Sequence, residues 1–128
     1  MFQQVTKGIK ISVDTIYEGA FYKNNKIQYA FSYHVTIENQ SKDTVQLYAR
    51  YWNIFDALNA VETVTGEGVV GEKPILKPGE LHTYTSGCLL HAPIGTMQGY
   101  YYMQNFNSSK MFRVTIPSFN LNADFVLN

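Results

Sequence analysis

A single cysteine, Cys88, in 128 residues excludes an intramolecular disulfide and a multi-thiolate metal site, and with them the stapled scaffold of many small extracellular domains. The expected compartment is a reducing or redox-indifferent one. Charge of one sign is also missing. Ten Lys and Arg stand against ten Asp and Glu, so the chain lacks the basic footprint by which sequence-independent nucleic-acid binders displace phosphate counterions. Nucleic acid is therefore not an expected partner. No stretch approaches the roughly 18 uninterrupted apolar residues of a membrane helix, and Met1 to Lys7 lacks the charged-then-apolar order of a secretory leader. The expectation is a cytoplasmic protein without membrane insertion. Charged residues are few, at 16%, while 45% are hydrophobic and 15% aromatic, a composition that excludes a disordered chain. With no repeat, low-complexity run or linker, a single domain is expected over residues 1–128.

Alternation organises what is present. In Tyr29-Ala30-Phe31-Ser32-Tyr33-His34-Val35-Thr36-Ile37-Glu38 the odd positions are large and apolar and the even ones small or polar, which predicts a strand with its odd face in a core. A weaker strand is expected at Ile9–Ile16, followed by turns at Gly19 and at Lys23-Asn24-Asn25-Lys26. Further strands are expected at Thr44–Phe55, Val61–Thr65, Leu81–Leu89, Thr96–Asn105, Met111–Ile116 and Leu121–Val126. Turn formers separate them, including Lys77-Pro78-Gly79-Glu80, where Pro presets φ and Gly takes the positive φ of a type II turn. Asp56-Ala57-Leu58-Asn59-Ala60 is too short and too rich in turn formers for a helix. The pattern predicts an all-β fold, an antiparallel β-sandwich of immunoglobulin or fibronectin type III character, with a closed barrel as the alternative.

Several residues invite a chemical reading. Gly66-Glu67-Gly68-Val69-Val70-Gly71 matches G-x-G-x-x-G, but Glu72-Lys73-Pro74 follows at once, so the helix that holds a pyrophosphate at its N-terminus has no room to form. A backbone nest for a small anion is the residual function there, with Gly66, Gly68, Gly71, Arg50, Lys73 and Lys77 as its candidate residues. His34 shares a strand face with Ser32, Thr36 and Glu38, and His82 shares one with Tyr84 and Ser86. Adjacent strands would make a His, His and carboxylate cluster geometrically open. No zinc-ligand spacing accompanies them, and solvent-facing histidines with no bound metal are expected. Cys88 lacks a base and precedes two leucines, so it reads as a buried, inert thiol. Ser86 lacks a nucleophile elbow. No catalytic residue and no cofactor is expected.

The aromatic excess is more informative. Alternation in Met97-Gln98-Gly99-Tyr100-Tyr101-Tyr102-Met103 sends Met97, Tyr101 and Met103 to one face and Tyr100 and Tyr102 to the other. Likewise, Tyr51 and Trp52 point opposite ways unless a bulge intervenes. One sheet is thus expected to expose a tyrosine-rich surface around Tyr48, Tyr51, Tyr100 and Tyr102, suited to a protein partner or to a homodimer.

The motifs Tyr33-His34-Val35-Thr36-Ile37-Glu38-Asn39, Val45-Gln46-Leu47, Arg50-Tyr51-Trp52, Gly66 to Glu72, Leu76-Lys77-Pro78-Gly79-Glu80, Tyr84-Thr85-Ser86-Gly87-Cys88 and Gly95 to Tyr101 together resemble the ApaG domain family, also called CorD. That resemblance spans about Ile9 to Leu121. One departure is Arg50-Tyr51-Trp52, where the family usually reads Arg-His-Trp, so no imidazole role transfers. The resemblance implies a fibronectin type III-like sandwich and no catalytic residues. It also implies an association with cobalt tolerance and magnesium efflux, and, from eukaryotic relatives that carry the domain in an F-box protein and a DNA polymerase δ-interacting protein, a protein-binding role. The expected function is a non-enzymatic binding module for a protein partner. A small-anion module for phosphate, pyrophosphate or nucleotide, using the glycine-rich loop, is the alternative. Titration with NAD or FAD at micromolar concentration is expected to give no saturable binding. Binding abolished by Gly68→Val would contradict this.

Overall fold

The computed structural model describes residues 1–58 and 61–123. Nine strands run β1 (Phe2–Thr6), β2 (Ile9–Lys23), β3 (Lys26–Asn39), β4 (Val45–Asp56), β5 (Glu62–Glu67), β6 (Ile75–Leu76), β7 (Leu81–Leu90), β8 (Ile94–Asn105) and β9 (Met111–Asn122). They form two antiparallel sheets, ordered β1-β2-β3-β7 and β5-β4-β8-β9, with β6 also paired to β4. The fold is the expected β-sandwich. Among the described residues no helix is long and apolar enough to cross a membrane.

The differences from the expected strands have local causes. Strand β1 escaped the alternation because Phe2-Gln3-Gln4-Val5-Thr6 is short and polar; Lys7 and Gly8, at φ 50° and 81°, turn it back onto β2. Gly19 does not end a strand. It absorbs a bulge between Tyr17 and Gly19, at φ 124°, and β2 continues to a hairpin tip whose Asn24 and Asn25 both have positive φ, as a two-residue hairpin loop requires. Strand β9 passes through Pro117 where its register with β8 shifts, a place where a missing N–H costs no ladder bond. The expected helix-poor segment 56–60 and strand 121–126 extend in part beyond the described residues. Lys77 to Glu80 forms the expected turn, with Gly79 at φ 87° and the Glu80 N–H donating to the Lys77 carbonyl at 2.9 Å.

Phe31, Tyr33, Val35 and Ile37 on β3 are buried as expected. In β4 the inward positions change parity. Val45 and Leu47 face the core, but so do Trp52 and Ile54, because β4 carries one extra residue between Leu47 and Ala49 against β8. Gly99 lies opposite Trp52, and a Cβ there would stand 1.9 Å from the Tyr51 carbonyl oxygen. The two strands approach that closely only over a glycine. One long side of the sandwich is closed by β1, which lies against β9; the Thr115 N–H donates to Thr6 Oγ1 at 3.2 Å, and the Phe2 and Phe119 rings meet at 6.2 Å.

Asn39, the last residue of β3, is fully buried and ties three segments together. Its Nδ2 donates to the carbonyls of Asp43 (2.8 Å) and Leu76 (2.9 Å), and its Oδ1 accepts from the Ser41 N–H and hydroxyl. Its backbone pairs with Glu80 and Gly79. Asn39→Ala leaves a buried carbonyl and an amide without partners, each worth roughly 1–3 kcal/mol. The variant is expected to lose about 3 kcal/mol of unfolding free energy in urea titration; a loss within about 0.5 kcal/mol, the usual range for surface changes, would refute this account.

Candidate functional site

The outer face of the β5-β4-β8-β9 sheet is assembled by register. Tyr51 on β4 lies opposite Tyr100 on β8, and Tyr102 lies opposite Arg113 on β9. Their rings form one array: Tyr51 and Tyr100 stack with centroids 4.8 Å apart and planes at 13°, while Tyr100 and Tyr102 meet edge to face at 5.2 Å and 87°. Arg113 lies over both, with its guanidinium carbon 4.5 Å from the Tyr100 ring centre and 5.3 Å from that of Tyr102. Its Nε and Nη2 donate to the Tyr102 hydroxyl at 3.1 and 2.9 Å. These bonds lower the Tyr102 pKa, with the Tyr100 hydrogen bond adding to the effect. Partial desolvation raises that of Tyr100. The three rings remain partly accessible and Arg113 is exposed. Beside them a shallow depression is lined by Gln4, Asn53, Gln98, Thr115 and Ser118.

Tyr48 shares this face but stands apart. Its hydroxyl donates to Gln104 Oε1 at 3.2 Å, and Lys73 Nζ sits 5.8 Å over its ring. Arg113 was absent from the expected set, since only pairing between β8 and β9 reveals that an isolated arginine falls beside Tyr102. Its alternation with Val114 and Ile116 marks it as outward-facing and nothing more.

The glycine-rich segment contains no helix. After β5 it turns tightly through Val70 and Gly71, both at positive φ, while Val69 and Glu72 exchange backbone hydrogen bonds. The Gly68 N–H donates to the Tyr48 carbonyl at 2.7 Å, and a Cβ on Gly68 would come 2.3 Å from the Glu72 oxygen. The N–H groups of Gly68, Val69 and Glu72 are thus directed at backbone carbonyls. Gly66 lies beneath the Arg50 side chain, and Arg50 Nη1 donates to the Glu67 and Gly68 carbonyls, both at 2.8 Å. Arg50 belongs to the inward face with Trp52, whereas Lys73 reaches the outer face, 3.5 Å from the Glu67 carboxylate. Lys77 is exposed in the Pro78-Gly79 turn. The structure therefore separates the expected cationic residues rather than gathering them on the loop.

Strands β3 and β7 are neighbours, yet their histidines do not meet. His34 lies opposite Thr85 and faces outward, bonding Thr85 Oγ1 at 2.9 Å, whereas His82 lies opposite Ile37 and faces inward. This corrects the expectation that His34 and His82 both face solvent: the His82 side chain is only 19% exposed, with Glu72 3.5 Å away. Among the described residues no group of three His, Cys, Asp or Glu side chains converges. Cys88 is half-buried, its Sγ 3.8 Å from Met97 Sδ. Burial, helped by the Glu62 and Asp56 charges, pushes its thiol up to about 12.

The ApaG domain model matches residues 20–105. A protein called ApaG from Brucella anthropi is 46% identical over 121 residues, 94% of this chain and 92% of that one. Another, from Parvibaculum lavamentivorans, is 46% identical over 123 residues, 96% and 94% of the two chains. The crystal structure titled as the putative ApaA protein from Bordetella pertussis superposes with a TM-score of 0.79 at 39% identity, covering 89% of this chain and 92% of that one. An X-ray structure of a structural-genomics target gives 0.85 at 36% identity, covering 90% and 86%.

A thiol at about 12 is almost wholly protonated at pH 8, against an ordinary cysteine near 8.5. Iodoacetamide at that pH is expected to label Cys88 about 10³-fold more slowly in the folded protein than in urea, because the thiolate is the nucleophile. Equal rates, read by mass spectrometry, would overturn this.

Proposed function

The chain belongs to the ApaG domain family, and we propose that it works as a non-enzymatic binding module that holds another protein against the outer face of β4, β8 and β9. The observation that carries this reading is the ring array of Tyr51, Tyr100 and Tyr102 under Arg113, assembled by side-chain packing and left accessible. Rings already fixed against one another lose little conformational freedom on binding. Tyrosine and arginine are also the side chains that anchor interface centres.

The chemistry of the face favours one class of partner. Arg113 is the single formal charge in the ring array, and the adjoining depression offers the amides of Gln4, Asn53 and Gln98 and the hydroxyls of Thr115 and Ser118. A segment presenting carboxylates to Arg113 and backbone groups to these amides is complementary to it. A second copy docked about a two-fold axis through the array would set Arg113 against Arg113, so the partner is a different, acidic-surfaced polypeptide. On this reading the association with cobalt tolerance and magnesium efflux that the family resemblance implies runs through that partner.

Affinity capture with the parent, with Tyr100→Ser/Tyr102→Ser and with Arg113→Glu tests the reading, using His34→Ala on the opposite sheet as a control. Loss of the two rings is expected to weaken binding of the captured protein by roughly thirtyfold or more, the equivalent of about 2 kcal/mol. Arg113→Glu is expected to abolish binding, and His34→Ala to leave it unchanged. Capture that is indifferent to these changes, or no capture by the parent, would defeat the proposal.

A further inference from the structure

The interior of the sandwich differs between its two long sides. Where β1 closes against β9, the inward side chains are apolar: Phe2, Ile11, Val13, Val114, Ile116 and Phe119. On the opposite side, where β7 faces β4 and β5, polar side chains enter the interior, with Leu90 closing the end of β7. Strand β7 directs His82, Tyr84, Ser86 and Cys88 inward while Leu81 and Leu89 point out, 56% and 47% exposed. That is the reverse of what an edge strand covering an oily core would place. Facing them are Arg50 on β4 and Tyr101 on β8, which lie opposite one another, and Tyr33 on β3, opposite Ser86. The sheets are joined here by a hydrogen bond between the Tyr84 and Tyr101 hydroxyls.

Arg50 and Trp52 keep N–H groups without partners on this side of the interior. Arg50 uses Nη1 on two carbonyls, which leaves the hydrogens of Nε and Nη2. The Tyr84 and Tyr101 pair carries two hydroxyl hydrogens, of which their mutual bond uses one. Trp52, the next inward residue from Arg50, is 2% exposed, and its Nε1 is buried without a hydrogen-bond partner; His82 Nε2 is also buried, with the Glu72 carboxylate 3.5 Å away. A buried donor left unpaired is costly and rare. The guanidinium excludes a cation from the same space. Arg50, Ser86 and Cys88 are only half-buried, so water reaches the rim between the two strands.

We infer that the cleft between β7 and β4 binds a small oxyanion, a carboxylate or a phosphate, held by Arg50, Ser86, Tyr33 and the Trp52 indole. This is distinct from the protein-binding face, which lies on the other side of the same sheet. It also differs from an anion held by the amides of the glycine-rich loop, whose part here is to carry Gly66 beneath Arg50 and to offer the carbonyls that fix the guanidinium.

Trp52 is the only tryptophan in the chain, so its indole N–H gives one assignable cross-peak inside the cleft. Sodium phosphate and sodium acetate are titrated separately against sodium chloride of matched ionic strength. The expected result is saturable displacement of that cross-peak by at least one of the two, with a dissociation constant on the order of 1 mM or tighter. Displacement by phosphate alone identifies a tetrahedral ligand, and by acetate alone a carboxylate. Ser86→Ala, which removes only a hydroxyl, is expected to weaken binding about tenfold, and Arg50→Lys, which keeps the charge but loses the fork, at least as much. Lys23→Ala, exposed at the tip of the β2–β3 hairpin, is expected to leave it unchanged. An indole resonance unmoved by both anions, moved equally by chloride, or saturating identically in Ser86→Ala would overturn the assignment, and none of these outcomes bears on the protein-binding face.

Discussion

One extra residue in β4 governs the arrangement of this molecule. Side chains along a strand alternate between faces, so a strand that begins with Val45 and Leu47 inward would continue by sending Tyr51 into the core and Trp52 into solvent. The bulge at Tyr48 reverses the parity. It turns Trp52 into the centre of the core, against Tyr33, Tyr101 and Phe119, and releases Tyr51 to stack on Tyr100. The glycine-rich segment is fitted to this event. Gly68 donates to the carbonyl of the bulged residue, and the chain leaves β5 and re-enters as β6 on the two sides of it. The conformation of Gly68 and the crowding of its absent Cβ account for the glycine without a nucleotide.

A sandwich has two open sides, and here they are treated differently. On one, β1 crosses the gap and supplies Phe2 to the core, so that side is sealed with apolar contacts. On the other, the sheets are linked by the Tyr84 and Tyr101 hydroxyls, beside an inward-directed arginine that bonds the Glu67 and Gly68 carbonyls of its own sheet. Burial raises the pKa of both tyrosines, so the pair stays neutral and hydrogen-bonded across the neutral range. A polar seam of this kind contributes less to stability than aliphatic packing of equal volume, but it imposes orientation, because each member has few ways to satisfy its bonds.

The tyrosine face and the polar cleft are two sides of one sheet, produced by one alternation. Tyr100, Tyr101 and Tyr102 are consecutive residues with different surroundings: the outer two join the array under Arg113, and the middle one spans the sandwich to Tyr84. Strand β8 therefore carries both features on a single stretch of backbone, with Gly99 setting how closely it approaches β4.

The order of turns, the period of two in β3 and the opposed faces of Tyr100, Tyr101 and Tyr102 were legible from the chain, because they depend on neighbours within a few residues. The fold class followed from them, as did the absence of a helix after the glycine run. Strand β1 and the continuation of β2 through Gly19 were not legible, since a short polar strand and a bulge are defined by the partner they pair with. The same holds for the site. Alternation set Tyr100 and Tyr102 on one face and opposed Tyr51 to Trp52, but the outward release of Tyr51, the company of Arg113, the isolation of Tyr48, the inward turn of Arg50 and the separation of His34 from His82 were all decided by register. Register is a property of two strands at once: a one-residue slip moves every side chain to the other face, and what selects it is the burial of both faces together in the folded molecule.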